Sequence, residues 1–389
     1  MVRTGGVQTP QFVPNPKGEP MTQAKEYLVF VGTYTGKLGH VEGKAEGVYT
    51  YRLDGATGAM TQLSVATGVV NPSFVALDPQ HRYLYAVSEV IDESRRSGGG
   101  VAAFAVDRST GALTALNTRS SGGAGPCYVT VDATGKWVLT ANYNSGSVIV
   151  HPIQPNGSLG EASDFKQHEG SSVNPQRQEG PHAHSFVIAP DNRFAYAPDL
   201  GMDKVMIYQF DANNGKLTPG DQPFAQTEPG GGPRHFDFHP NRKFAYCNLE
   251  IGNKVVVFAY DEASGSLQEI QSTSTLPADF SGRSHTADLH IHPSGKFLYC
   301  SNRGHDSIAM YAVDEATGKL TFLGAESTQG QTPRNFAIDP SGTLLLAANQ
   351  NSSTVAAYHI DQETGRLTPT GAISDVPTPV CLKLVSAAA

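Results

Sequence analysis

The sequence predicts an all-β fold: a seven-bladed β-propeller of four-stranded blades, its ring closed by pairing strands from the two ends of the chain. Three observations carry that expectation. A unit of roughly 50 residues recurs seven times, a hairpin of two short strands recurs in register with it, and each chain end holds half of such a hairpin.

The repeat is read from seven segments in which an aromatic or apolar run is followed by a polar turn and then Gly with Leu or Met. They pair Tyr51 with Gly58, Phe104 with Gly111, Val150 with Gly157, Tyr208 with Gly215, Phe258 with Gly265, Tyr311 with Gly318 and Tyr358 with Gly365. Six carry Asp near the turn and one carries Pro-Asn-Gly, both suited to a tight reversal. The glycines lie 46 to 58 residues apart, room for four short strands per unit.

The hairpin signature is a run such as Phe74 to Pro79, Phe236 to Pro240, Leu289 to Pro293 or Phe336 to Pro340, ending in Asp-Pro or His-Pro. A second strand follows each: Tyr83 to Ser88, Phe244 to Asn248, Phe297 to Asn302 and Leu344 to Asn349. Weaker copies begin near Tyr128 and Phe186. At the ends, Pro379 to Val385 reads as a first strand with no second, and Tyr27 to Thr33 as a second strand with no first. Joining them supplies the seventh blade and removes an exposed sheet edge.

Length alone, 389 residues, suggests two or three domains, but the repeat overrides that prior. Residues 27–385 are assigned to one propeller, residues 1–26, with Pro10, Pro14, Pro16 and Pro20, to a disordered leader, and residues 386–389 to a short tail. A net charge of -8 without any dense Lys/Arg run excludes a nucleic-acid surface. No segment is long enough to span a bilayer as an apolar helix. Cys127, Cys247, Cys300 and Cys381 are scattered within strand-like runs, the pattern of buried, reduced thiols in a cytoplasmic protein. There is no Rossmann fingerprint, no P-loop and no metal-ligand spacing, so no cofactor is expected. Nothing in the sequence bears on oligomeric state.

A repeat supplies its own control, because a residue that only serves the blade recurs in every copy. Two and four positions before the turn the side chains are apolar in nearly every blade, as in Val75 and Leu77 or Phe236 and Phe238. Six positions before it stand Ser73 and Cys127, but then His184, Arg234 and Arg334; five before it stand His235, Asp288 and Asn335. In an antiparallel hairpin the end of the second strand lies beside the start of the first, and that end carries Glu89, Glu250 and Arg303 in three of the blades. First strands line a propeller's axis, so His184, Arg234, Glu250 and Arg303 are expected to converge at one mouth of the channel. Cations beside a carboxylate and an imidazole offer anion binding, proton transfer and charge stabilisation together.

Plainer readings apply to other residues, and one applies here too: Arg234 and Glu250 also fit an ordinary cross-strand ion pair. His239 and His292 occupy the position of Asp78 and Asp339, so they read as turn residues. His285, His290 and His292 divide among different faces and are not read as a metal site. Gly230 to Gly232 precede no helical pattern and mark the entry to a strand. Cys247 and Cys300 share one register and read as small packing residues.

Gly232-Pro233-Arg234-His235 with Phe238-His239-Pro240, Asn248-Leu249-Glu250, Ala287-Asp288-Leu289-His290, Ser301-Asn302-Arg303-Gly304, and Pro333-Arg334 with Asp339-Pro340 occur in order along the chain. From about Tyr27 to Val385 the chain resembles the lactonase-type β-propeller family, which includes propeller 6-phosphogluconolactonases and fungal carboxymuconate-lactonising enzymes. The resemblance implies seven blades and functional positions at His184, Arg234, Glu250 and Arg303; beside them His182 and His235, and the register-breaking Asp288 and Arg334, are carried as substrate-binding neighbours. The resemblance also implies hydrolysis of a small anionic sugar-acid lactone, 6-phosphogluconolactone, in the pentose phosphate route. Glu250 or His184 is then expected as general base, with one of Arg234 and Arg303 on phosphate and the other on the oxyanion. Two rivals stand beside it. A muconate-type cycloisomerase would use the same groups without consuming water, and a non-catalytic interaction propeller would have an apolar or mixed rim.

Overall fold

Residues 25–92 and 97–387 are described by a computed structural model of the chain, and they contain no α-helix. Most of the expected leader (residues 1–24) and the last two residues of the expected tail lie outside this range. Ser386 belongs to a strand rather than to the tail. No helix among the described residues is long and apolar enough to cross a membrane.

Seven four-stranded antiparallel sheets form the blades. Blade 1 is the closing blade: its inner strand Pro379–Ser386 pairs with Glu26–Thr33, which pairs with Gly47–Asp54 and then Met60–Thr67. Blades 2 to 7 follow along the chain, with inner strands Val75–Leu77, Pro126–Val131, Val187–Ile188, Pro233–Phe238, His285–Ile291 and Pro333–Ile338. Their second strands are Tyr83–Ser88, Trp137–Asn142, Phe194–Asp199, Phe244–Leu249, Phe297–Arg303 and Leu344–Asn349. Joining first and last strands in one sheet leaves the ring without a free seam.

Blade 4 departs from the expected hairpin. Its inner strand shrinks to two residues plus an isolated bridge between Ala183 and Asp199. The partner strand carries Pro198, whose carbonyl accepts from the His184 amide at 2.9 Å but which has no N–H to return.

All seven repeat glycines have positive φ, from 62° at Gly215 to 85° at Gly157, as the tight reversal demands. They also lock neighbouring blades together. Tyr85, Tyr196, Tyr246 and Tyr299, two residues into their second strands, each donate the phenolic O–H to the carbonyl of the next blade's turn glycine: Gly157, Gly265, Gly318 and Gly365, at 2.7 to 3.1 Å. A Cβ on Gly157 would lie 2.1 Å from the Tyr83 ring. His239 and His292 act at the inner turns as expected: their Nδ1 atoms accept from the amides of Asn241 and Ser294, while Nε2 reaches the carbonyls of Gly295 and Gly342 in the next blade. Between blades the faces pack through aromatic stacks such as Tyr196 on Phe236, ring centres 5.3 Å apart. Cys247 and Cys300 are fully buried in these packing layers, and all four cysteines are free thiols.

Each latch is a buried hydrogen bond whose loss strands a carbonyl. Tyr85→Phe is therefore expected to lower unfolding stability by about 1–3 kcal/mol, read from the urea midpoint; an unchanged midpoint would show that the latch carries no weight.

Candidate active site

The inner strands do not run straight into the mouth. In blades 1, 3, 5, 6 and 7 the register shifts near the start of the inner strand, so that an extra residue is accommodated there. Arg234 and His235 together oppose Asn248, and Ala287 and Asp288 together oppose Ser301. The backbone amides displaced by these bulges are taken up by side chains: Asn248 Oδ1 accepts from His235 N, and Ser301 Oγ from Asp288 N, both at 2.9 Å. A bulge re-aims side chains. Strict alternation would send Arg234 and His235 to opposite faces, yet both line the same cavity.

Two concentric rings result, with one residue of each from every blade. The starts of the inner strands supply Val380, Ser73, Cys127, His184, Arg234, Ala287 and Arg334; the ends of the second strands supply Tyr34, Glu89, Tyr143, Leu200, Glu250, Arg303 and Gln350. At their centre is a cavity of about 10 Å³, close to one water-sized space, walled by Tyr34, Ser73, Phe74, Glu89, Cys127, His184, Arg234, His235, Arg334 and Val380.

Glu250 organises one side of this mouth. Its Oε2 accepts from Arg234 Nε at 2.8 Å and lies 2.9 Å from Arg303 Nη2, while Oε1 accepts from Arg177 Nη2 at 2.6 Å. Burial alone would raise the Glu250 carboxyl, but Arg303, Arg234 and Arg177 hold it well below the usual carboxylate range. Arg234, 2% exposed, is committed further: Nη1 donates to the Ala287 carbonyl and to His235 Nε2. Arg303 Nη2 also donates to the Thr286 carbonyl at 2.8 Å, and burial brings its pKa down to about 10. Among the described residues Arg334 is different: its guanidinium makes no hydrogen bond to protein, lying 5.6 Å from the Tyr34 ring centre and facing the cavity.

His184 has its imidazole pushed well below its ordinary pKa by burial and then by Arg234 and His235, so it is neutral. Beside it runs a buried chain. His235 Nδ1 donates to Asp288 Oδ1 at 2.6 Å, and Asp288 Oδ2 meets His290 Nε2 at 3.0 Å and also accepts from Asn335. Burial and Arg234 lower His235 to about 4, whereas Asp288 and Asp237 overcome burial to raise His290 to about 9. His235 is thus a neutral imidazole with its proton on Nδ1 and its Nε2 lone pair toward Arg234. The expected metal-free triplet of histidines does divide: His285 meets Arg283, His290 meets Asp288, and His292 stays in its turn.

Of the expected residues, His184, Arg234, Glu250 and Arg303 gather at one mouth, and Arg334 and His235 join them at the cavity wall. Two sit differently. Asp288 is not among the residues that line the cavity; it holds His235 from behind the wall, bonded also to His290 and Asn335. His182 is at the outer rim, stacked on Tyr143 with centres 4.6 Å apart. The mouth holds a cluster of charges around Glu250, which the reading as an interaction propeller does not predict.

Tyr34, Glu89, Tyr143, His40 and Arg177 are among the residues of the mouth that the expected site set does not include. Tyr34, Glu89 and Tyr143 occupy the register position of Glu250 and Arg303, so carrying that count around all seven blades reaches them. His40, on the short hairpin of Lys37–Leu38 and Val41–Glu42, reaches Tyr34 Oη at 3.3 Å. Arg177 sits in a long connection that has no counterpart in other repeats, and it also donates to Tyr143 Oη at 3.2 Å. No local signal marks either of these two.

Comparison with known proteins places this geometry. The sequence model of the family described as "Lactonase, 7-bladed beta-propeller" matches residues 28–384. A protein of Bacillus subtilis named 6-phosphogluconolactonase is 39% identical over 312 residues, 80% of this chain and 84% of its own. One of the same name from Formosa agariphila is 34% identical over 324 residues, covering 80% and 86%. The solved structure of a Pseudomonas aeruginosa periplasmic gluconolactonase superposes with a TM-score of 0.86 at 35% identity, over 93% of this chain and all of that one.

The Asp288–His290 pair carries a pH signature. The folded pKa of His290, about 9, lies above the unfolded value of about 6.5. Its stabilising contribution is complete below the unfolded value and is lost as pH rises through the folded one. Between pH 6.5 and 9.5 the melting temperature of the wild type should therefore fall by on the order of a few °C more than that of His290→Gln; parallel curves would refute a charged His290.

Proposed function

Because the chain belongs to the lactonase family of seven-bladed β-propellers, we propose that it hydrolyses a phosphorylated sugar-acid lactone, 6-phospho-glucono-1,5-lactone, to the open acid. The observation that carries this reading is the charge balance of the mouth. Four guanidiniums, Arg177, Arg234, Arg303 and Arg334, face two carboxylates, Glu89 and Glu250, and among the described residues Arg334 has no hydrogen-bond or ion-pair partner. An excess of oriented positive charge, with Arg234 buried and Arg177, Arg303 and Arg334 partly buried, suits a compact dianion. The two curated relatives named 6-phosphogluconolactonase support the same substrate.

Lactone opening needs a grip on the anion, donors for the carbonyl oxygen as it gains charge, and removal of a proton from water. Arg334 takes the phosphate, since a guanidinium without a protein acceptor loses nothing by turning to a ligand. Arg234 and Arg303 present their remaining N–H groups to the developing oxyanion. Glu250 keeps them in place: their bonds to it leave little rotamer freedom, so little reorganisation accompanies the reaction. His184, neutral beside Arg234, orients the lactone by hydrogen bonding. We place the reaction in the cytoplasm, where the four free thiols stay reduced, as a step of the pentose phosphate route; cell fractionation tests that address.

The purified protein is expected to open 6-phosphoglucono-1,5-lactone faster than unphosphorylated glucono-1,5-lactone, and to leave muconolactone untouched. Isomerisation of muconolactone without water uptake would favour the cycloisomerase instead. In Arg334→Ala, loss of a charged hydrogen bond is expected to raise KM for the phosphorylated lactone about 10- to 100-fold, with a smaller effect on the unphosphorylated one. An equal effect on both would remove Arg334 from the phosphate site.

A further inference from the structure

We propose that Glu89, not Glu250 or His184, is the group that takes the proton from the attacking water, with Tyr34 and Ser73 as its positioning partners; this rests on the lactone-hydrolase reading above. The geometry distinguishes the two carboxylates of the mouth. Both oxygens of Glu250 are engaged by guanidiniums from three separate segments of the chain. Protonating it would strip Arg177, Arg234 and Arg303 of their shared counter-charge in a buried place, which is costly. Glu89 is as buried, at 6% exposure against 5% for Glu250, but no cation stands within ion-pairing distance of it among the described residues. Its Oε2 accepts from Tyr34 Oη at 3.0 Å and from Ser73 Oγ. Among the described residues its Oε1 has no protein donor, and its side chain lines the water-sized cavity together with Arg234 and Arg334.

The surroundings let Glu89 hold and release a proton. Burial raises its pKa, and Arg334, Ser73, Tyr34 and Arg234 oppose that only in part. Of the other titratable groups lining the same cavity, the Cys127 thiol is pushed up by burial and stays neutral, Tyr34 stays a phenol for the same reason, and His235 is lowered to about 4 by burial and Arg234. His184 is a poor alternative, since a proton on it would add a further cation beside Arg234.

The step balances as follows. Water oxygen attacks the lactone carbonyl carbon, one water proton passes to Glu89 Oε1, and the carbonyl π pair becomes an oxyanion held by arginine N–H groups. When the pair returns, the bond from carbonyl carbon to ring oxygen breaks. The proton on Glu89 goes to that leaving oxygen, which regenerates the carboxylate and leaves a hydroxy acid.

The test compares kcat, KM and pH profiles of wild type, Glu89→Gln, His184→Asn and Tyr34→Phe on 6-phosphoglucono-1,5-lactone, with melting temperatures confirming folding. Glu89→Gln is expected to lose 100-fold or more in kcat, about the range for general base removal, with KM changed only a few-fold and the acid limb of the kcat profile abolished. Tyr34→Phe removes a donor to the carboxylate, so it should move that limb to higher pH; this holds the proposal open to refutation even if Glu89→Gln does not fold. Full kcat in Glu89→Gln, an unmoved limb in Tyr34→Phe, or loss of the limb in His184→Asn alone would overturn the role of Glu89 while leaving the hydrolase standing. Absence of hydrolysis by the wild type would overturn both.

Discussion

A single carboxylate, that of Glu250, is the constraint on which the rest of the mouth depends. Three guanidiniums from an inter-blade connection, an inner strand and a second strand meet at its two oxygens. Burying these charges is tolerable because each is paired with Glu250 and Arg234 and Arg303 find further acceptors, Arg234 at Ala287 and His235 and Arg303 at Thr286, although Arg303 Nε is left buried without a protein acceptor. The cluster is therefore less a source of net stability than a device for holding arginines in fixed orientations. The group that fixes the cations is too strongly held by them to exchange protons, and so proton transfer is left to another acid.

The scaffold supplies the rigidity that this arrangement requires. Tyrosine-to-glycine latches tie blade 2 to 3, 4 to 5, 5 to 6 and 6 to 7, and histidine-to-glycine turn contacts reinforce the last two of these joints. Closure of blade 1 by strands from both chain ends removes the seam at which an open ring could breathe. Preorganised donors act on developing charge only if they do not relax away from it, and a closed ring of close-packed sheets resists such relaxation. The His235–Asp288–His290 chain extends the same logic, fixing the proton of His235 on Nδ1 and presenting its other nitrogen to Arg234.

Division of labour between the two carboxylates follows from their neighbours and not from their identity. Glu89 and Glu250 hold the same register position in different blades, but one meets hydroxyl groups and the other guanidiniums. Hydroxyl donors leave an acid's pKa near or above its usual range when it is buried, whereas paired cations drive it down. The symmetry of the fold provides equivalent places; the asymmetry of what faces them provides chemistry.

How much of this was legible in the sequence follows from which interactions are local. Glycine at a reversal needing positive φ, alternation of apolar residues and the half hairpins at the ends all repeat at a fixed spacing, so the sequence by itself determined seven blades, their closure and the convergence of His184, Arg234, Glu250 and Arg303. The register count also reached Glu89, though not what would surround it. Tertiary structure alone decided that Arg234 and His235 face the same way, because a bulge appears only when two strands pair; that Asp288 sits behind the wall; and that Arg177 reaches Glu250, because an irregular connection has no period to reveal where it lands. It decided, too, which carboxylate meets cations and which meets hydroxyls, since Tyr34 is 55 positions from Glu89 and Arg177 is 73 from Glu250, and only the ring brings them within hydrogen-bonding distance.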